Sequence, residues 1–379
     1  MLAEKLVTVP AAPVHIIPGF AQHAGSASVD PNSGQSHQSP FVTFVEPEES
    51  FLALSIRNFG LTLATLGFYS FWARAEARQQ LHRAIRIDGK PLDFTGTGRE
   101  GFISFLIGIV VTICVTGLVL VLLVQNSHAA ANPLASFAAV RWQRLAISLP
   151  LVFLLGSVVY RKRKHNLRRT WCGKQNFDLV GHPWHYAFQH FWTAFLVPAT
   201  LGWAAPWRAS RLERRKIDEM RFGDTKFHAV GTVKPLYKAF AVLWFGGGTA
   251  YVGTMALLGV LIGPELLSSI ASGSLKPLQD AGSMGKLLLI LGIGMTPVIA
   301  FLLFYRAAWI EHQVSSVGIG DMRLDLKLPK WRFAGLMVTN ALIKIVSFGG
   351  FQPAADAQLV RFVVNNIRTV PLDPQPAVV

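Results

Sequence analysis

Cysteine is nearly missing from this chain, with Cys114 and Cys172 the sole two among 379 residues, so no structural disulfide is expected. Acidic residues are scarce too: 21 Asp and Glu stand against 36 Lys and Arg, and no carboxylate pair is spaced for general acid–base work. Charge of either sign is thin, at 15% of residues against 51% hydrophobic, which excludes an ordinary soluble composition. Phosphate-loop chemistry is missing as well. Gly282-Ser283-Met284-Gly285-Lys286 lacks the full glycine spacing and puts Leu287 where a hydroxyl should meet magnesium. No Ser/His/Asp order or dinucleotide fingerprint stands out. Neither an enzymatic activity nor a cofactor is expected.

What the chain has instead is long apolar runs. Residues 102–124 carry no charge, and 145–160 (with Pro150 inside), 239–262 (with Gly246-Gly247-Gly248) and 286–305 (with Pro297 inside) approach the ~20 residues that cross ~30 Å of hydrocarbon. The formal net charge of +15 is concentrated beside these runs. That is the positive-inside pattern of cytoplasmic loops, and it argues against a nucleic-acid partner. The densest block is Arg161-Lys162-Arg163-Lys164-His165-Asn166-Leu167-Arg168-Arg169, in which Arg161, Lys162, Arg163, Lys164, Arg168 and Arg169 are candidate contacts for anionic lipid headgroups. Residues 1–40, rich in Pro, Gly and Ser, read as a disordered tail.

Three stretches organise the rest. Thr65-Leu66-Gly67-Phe68-Tyr69-Ser70-Phe71-Trp72 ends one apolar segment and runs into Arg74 and Arg78. Thr200-Leu201-Gly202-Trp203-Ala204-Ala205-Pro206-Trp207 runs into Arg208, Arg211, Arg214 and Arg215, and Ser347-Phe348-Gly349-Gly350-Phe351-Gln352-Pro353 precedes Arg361. The offset that sets Gly202 on Gly67 also sets Trp207 on Trp72 and Thr193 on Asn58; the offset that sets Gly349 on Gly67 sets Asn340 on Asn58. Gly–aromatic–Gly elements follow the basic runs at Gly89…Phe94…Gly96, Gly173…Phe177…Gly181 and Gly223…Phe227…Gly231, and residues 324–328 alternate apolar and polar. These predict small β-hairpins lying on the cytoplasmic membrane face. The organisation expected is a tail at 1–40, a first repeat at 41–178, a second at 179–323, a truncated third at 324–370 and a flexible end at 371–379.

Basic stretches flank the second of these segments, at 161–185 and 208–238, so it cannot cross the bilayer without exporting one of them. The nearly uncharged loops 125–143 and 263–285 are the natural outside loops. Four full spans are therefore expected, with the three special segments dipping in from the cytoplasmic side and breaking at Gly67, Gly202 and Gly349; seven spans is the rival topology. Polar groups inside apolar segments are costly unless paired or wet. Arg57, Asn58, His190, Thr193, Asn340 and Lys344 form the candidate intramembrane polar layer, either as a solute path or as hydrogen bonds between repeats. His182 and His185, near His190, have no adjacent Cys or carboxylate, and no metal site is expected there.

On Asn58…Thr65-Leu66-Gly67-Phe68-Tyr69-Ser70-Phe71-Trp72-Ala73-Arg74, followed by Gly89…Phe94…Gly96, the chain resembles the YjgN-like family of bacterial inner-membrane proteins over about residues 41–368. The resemblance implies a multi-pass protein of the bacterial inner membrane and supplies no catalytic residue. Two departures are visible: Phe44-Val45-Glu46-Pro47 stands in place of a leading Phe-x-Gly, and Pro353-Ala354 stands near where the other copies carry Trp72 and Trp207. The fold class expected is an all-α polytopic membrane protein with short cytoplasmic β-hairpins. Its expected function is transporter- or channel-like, for a small solute or ion. The alternative is a non-transporting scaffold or envelope-stress component that binds anionic lipid or a protein partner through its basic face. A homo-oligomer is compatible with either.

Overall fold

A computed structural model describes residues 41–127, 133–262 and 281–371. The expected tail, all but the first residue of the expected flexible end, and most of the loop 263–285 lie outside the described residues, as do residues 128–132 of the loop 125–143. Contacts divide the described residues into two compact units, one drawn from 41–230, 314–326 and 340–371 and the other from 231–313 and 327–339.

The frame of the first unit is an antiparallel sheet of ten strands whose spatial order is their chain order. They are β1 (Val42–Phe44), β2 (Ile85–Ile87), β3 (Lys90–Phe94), β4 (Thr170–Cys172), β5 (Gln175–Leu179), β6 (Met220–Phe222), β7 (Thr225–Ala229), β8 (Val317–Ile319), β9 (Met322–Leu326) and β10 (Ile367–Pro371). Tight hairpins form where Ile87 faces Lys90, Cys172 faces Gln175, Phe222 faces Thr225 and Ile319 faces Met322. A two-residue turn requires positive φ; Asp88 and Gly89 supply it at +48° and +73°.

The hairpins are not separate. Phe94 pairs with Thr170, Phe177 with Phe222 and Phe227 with Ile319, so each hairpin finds its outer partner in the next. This overturns the all-α polytopic fold class: the chain builds a nearly closed antiparallel barrel sheet with helices inserted between its strands. The physical reason is the edge. A lone hairpin leaves a row of unpaired N–H and C=O groups on each side and is marginal in water, whereas lateral pairing satisfies both rows. Three-residue strands such as β2 carry too little alternation to announce that pairing. One face of the sheet buries Ile85, Ile87, Leu92, Phe177, Leu179, Met220, Phe222 and Ile319, and Leu212, Ile217, Val360 and Val364 of the helices join the same core.

The helices interrupt the meander in chain order. α1 (Phe51–Ala64) and α2 (Ser70–Ala84) separate β1 from β2, and α3 (Gly98–Ser127) and α4 (Pro133–Arg168) separate β3 from β4. α5 (Pro183–Ala199) and α6 (Ala205–Asp218) lie between β5 and β6; α7 (Lys234–Ala241), a π-helical turn at Val242–Gly247, α8 (Gly248–Ile262) and α9 (Ala281–Ser315) lie between β7 and β8. α10 (Lys330–Val346) and α11 (Gln352–Val364) separate β9 from β10.

The second unit holds the helix that runs over 234–260 and all but the last two residues of the one over 288–315, both long and apolar enough to cross a membrane. At 27 and 28 residues they are about 40 Å long against ~30 Å of hydrocarbon. Their apolar windows are only 17% and 6% buried, unlike the core helix of a soluble domain. Thr254 Oγ1 donates to the Gly294 carbonyl at 2.9 Å, tying α8 to α9. Where four full spans are expected, two helices among the described residues meet that description. The stretch 145–160 falls inside α4, which runs on through the basic block to Arg168; its apolar part is shorter than the ~20 residues a span needs.

Candidate functional site

Three helical corners, α1–α2, α5–α6 and α10–α11, turn in the same way. The amide of Gly67 donates to the Thr62 carbonyl, Gly202 to Val197 and Gly349 to Lys344, each at 2.7 Å. One residue earlier, Leu66 donates to Leu63, Leu201 to Pro198 and Phe348 to Ile345, each at 3.1 Å. These are the paired 6→1 and 5→2 bonds of a Schellman end. The three glycines sit at φ +93°, +89° and +82°, open to glycine alone without strain. Leu66, Leu201 and Phe348 sit at +50°, +50° and +47°, at a cost of roughly 1–2 kcal/mol each.

The hydroxyl ahead of each turn explains the rest of the motif. Thr65 Oγ1 donates to the Leu61 carbonyl at 2.8 Å and accepts from the Tyr69 amide at 3.0 Å. Thr200 does the same with Leu196 and Ala204, and Ser347 with Ile343 and Phe351. One hydroxyl thus closes the first helix and caps the second. The tips are bare: Leu66 is 93% exposed, Leu201 78% and Phe348 95%.

Within the first unit, a cavity of about 540 Å³ lies between the first and third corners. Asn58, Phe59, Thr62 and Leu63 of α1 line it, with Ser70, Ala73, Arg74, Ala77, Arg78, Leu81 and His82 of α2. The third corner contributes Phe348, Gly349, Gly350, Gln352, Pro353, Asp356, Leu359 and Val360; Phe94, Asn166 and Thr170 close the end toward the sheet. The two corners are clasped by the Ala354 amide donating to Ser55 Oγ at 3.3 Å. Gly350 makes the approach possible, since a Cβ there would stand 2.2 Å from the Phe59 ring.

The charges in the cavity are unevenly matched. Arg74 donates to the carbonyl and Oγ of Ser70 at 3.0 and 3.1 Å and lies 5.0 Å over the Phe71 ring. Arg78, one turn on, donates no hydrogen bond and makes no ion pair among the described residues. Burial, then the Arg74 charge, pushes its guanidinium down from its ordinary value while Asp356 pulls it back; it remains a cation. Asp356 is held by Lys344 at 2.8 Å and accepts from Gln352 at 3.4 Å. Asn58 is 3% exposed, and neither Oδ1 nor Nδ2 has a partner among the described residues. His82 donates through Nδ1 to the Arg78 carbonyl at 2.7 Å, and burial pushes its pKa down to about 4, so the ring is neutral.

Of the candidate polar layer, the structure brings Asn58 into the cavity together with the turn glycines Gly67 and Gly349, and Lys344 reaches it through Asp356. Asn340 stands behind it: Nδ2 donates to the Ala355 carbonyl at 2.9 Å while Oδ1 has no partner among the described residues. Arg57 turns instead to the carboxylates of Glu49 and Glu76 and is half-exposed. Thr193, His190 and Gly202 belong to the second corner and do not line the cavity. Thr193 Oγ1 donates to its own helix at the Gln189 carbonyl, 2.7 Å away, and the His190 carbonyl accepts from Arg208 at 3.2 Å.

The basic block is largely engaged within the fold. Arg163 pairs with Glu213 at 3.5 Å, Arg168 with Asp178 at 2.7 Å and Arg169 with Glu100. Lys164 donates to the Gly181 carbonyl at 3.4 Å, and Arg161 lies 5.7 Å over the Trp184 ring. The residues that sequence reasoning did not single out are Arg78, His82 and Asp356. Arg74 and Arg78 did carry a signal: two cations four residues apart, each beside an alanine that leaves room on the same helix.

A family model for bacterial proteins of unknown function, DUF898, matches residues 40–379. No curated protein and no solved structure matches the chain.

Proposed function

The chain belongs to DUF898, a bacterial family of unknown function, and we propose that it is an integral protein of the bacterial inner membrane that holds a small solute in the cavity between its first and third corners, in a transporter-like role. The observation that carries this reading is apolar surface turned outward. On α3, Ile103, Phe105, Leu106, Ile107, Val110, Val111 and Ile113 are exposed, and so are Val252, Val260, Leu288, Leu289 and Ile293 in the second unit. In water such side chains, 45–80% exposed, forgo a large part of the about 1.5–3 kcal/mol that full burial of each would give. Soluble proteins rarely leave contiguous patches of this kind uncovered. A bilayer covers them, and the helices at 234–260 and 288–315 have the length to cross it. The bare tips Leu66, Leu201 and Phe348 then have a use: each is an apolar wedge on a rigid corner, and Trp72 and Trp203, a few residues from the first two tips, are exposed as interfacial aromatic residues are.

The solute site is supported by groups that lack partners. Arg78 and Asn58 face a cavity of the size that takes small ligands, about 300–1,000 Å³. Membranes from cells making the full chain, washed in alkaline carbonate, should keep it in the pellet. Its release into the supernatant would overturn the membrane reading.

A further inference from the structure

We propose that the solute of this cavity is an anionic amphiphile with a single acyl chain, its headgroup on Arg78 and Arg74 beside the Asn58 amide and its chain leaving between Leu66 and Phe348. The inference deepens the reading of the cavity as a solute site and rests on it.

The headgroup end follows from what the cavity lacks. Two like charges one turn apart on α2 repel, and the carboxylate across from them, Asp356, is already tied to Lys344 and Gln352. A guanidinium fork without a partner matches the oxygens of a carboxylate or phosphate. Asn58 adds a buried amide with neither atom bonded, a group that costs about 1–3 kcal/mol to leave unmade. A cationic head would meet two arginines, and a neutral one would leave them unanswered.

The chain end follows from the walls and the mouth. Beyond the charges much of the lining is apolar, with Phe59, Leu63, Ala73, Ala77, Leu359 and Val360, beside the hydroxyls of Thr62, Ser70 and Thr170. Leu66 and Phe348 line the cavity and are also nearly fully exposed, so they mark where it opens. Leu63 and Val346 beside them are exposed as well. Most of the exposed rim is apolar, with Arg74 as its one exposed cation, a pattern that suits an anionic amphiphile better than a free inorganic anion. An amphiphile can slide in from lipid with its tail in apolar surroundings throughout.

The test uses the full chain in phosphatidylcholine nanodiscs and a palmitate carrying a diazirine near the middle of its chain. After illumination, crosslinks are mapped by peptide mass spectrometry. We expect labelling of α1, α11 and the turn at Leu66, suppressed by dodecanoate and dodecyl phosphate but not by dodecyltrimethylammonium or inorganic phosphate. Arg78→Gln should lower it tenfold or more while leaving labels on α8 and α9 unchanged. Should Arg78→Gln not fold, Ala77→Phe fills the cavity without touching the charge and should abolish the same labels. Labels on α8 and α9 with none at the cavity would overturn this proposal and leave the membrane seat standing; none at either place would sink the membrane reading itself. Equal suppression by dodecyltrimethylammonium, or no effect of Arg78→Gln, would overturn the anionic head. Protection by inorganic phosphate as strong as by dodecyl phosphate would replace the amphiphile with a small free anion.

Discussion

The first and second corners share one turn to within a few degrees and a tenth of an ångström, yet what fills the angle behind the turn is opposite in kind. The offset that sets Gly202 on Gly67 sets Glu213 on Arg78, Ile217 on His82 and Thr193 on Asn58. In the second corner Glu213 is enclosed with Lys216 and Arg163. Burial pushes its carboxyl up, but those two cations overcome it and hold it below the usual carboxylate range. Tyr160 and Tyr186 pack nearby with ring centres 5.2 Å apart, and Thr193 bonds its own helix. In the first corner the same positions leave a cation, an amide and open space. A backbone motif therefore fixes where helices meet, while the charge at one position decides whether the junction closes on itself or waits for a partner.

The sharpest way to break that comparison is to remove the charge from each corner in turn. Glu213→Ala strands Arg163 and Lys216 in a buried site and should cost about 3–5 kcal/mol, read as a large fall in the thermal unfolding midpoint. Arg78→Gln, which has no protein partner to strand, should move stability by less than about 1 kcal/mol. Equal losses would show that the first corner is as self-contained as the second.

Acid should separate the corners next. His82 titrates at about 4 when folded, against ~6.5 unfolded. A base with a depressed folded pKa contributes stability that is complete above ~6.5 and lost as pH falls toward 4, on the order of 3 kcal/mol at ~1.4 per unit. Hydrogen exchange in α2 should quicken over that window while α6, with Ile217 in the equivalent place, holds. A His82→Leu variant should flatten the response; an unchanged slope would assign it elsewhere.

The two asparagines sharpen the contrast further. Asn340→Leu removes the donor to the Ala355 carbonyl and should lower stability by about 1–3 kcal/mol, whereas Asn58→Leu removes an amide with no partner and should raise it by about 1. Chemical denaturation of both variants in one detergent decides it; a loss for Asn58→Leu would mean its amide is bonded after all. The smallest effect belongs to the tips. Leu66→Gly or Leu201→Gly relieves ~1–2 kcal/mol of backbone strain and gives back ~0.5–1 through glycine's chain freedom, so stability in detergent should rise by less than about 1 kcal/mol. A fall at either tip would show that side chain to be packed.

How much of this could be read from the sequence depends on how local each feature is. The corner is a matter of a few consecutive residues, a hydroxyl, an apolar residue and a glycine, and its chemistry is legible there. The alternation at 324–328 likewise marks β9. The barrel sheet is not legible in this way, because whether Phe94 lies beside Thr170 depends on an edge that local spacing does not describe. The cavity is harder still, since Asn58 and Arg78 meet Asp356 across most of the chain. The pairings of Arg163, Arg168 and Arg169 are not legible in the basic block either, because their partners Glu213, Asp178 and Glu100 are scattered through three other elements. Isolated carboxylates in a basic chain are easily overlooked, and here they set which cations remain available.

The order of the strands also bears on how the chain can be made. Every strand pairs with its neighbour in sequence, so nothing synthesised late has to be threaded between two strands already joined. As the polypeptide leaves the ribosome, each finished hairpin meets the single edge its predecessor left open, and the helical insertions only lengthen the wait between additions. A nascent chain released after residue 230 already holds β1 to β7, with their six ladders complete and one growing edge, at β7, left for β8. Assembly in step with synthesis keeps unpaired edges few at each moment, which is the condition that spares a non-local sheet from its usual slowness and aggregation.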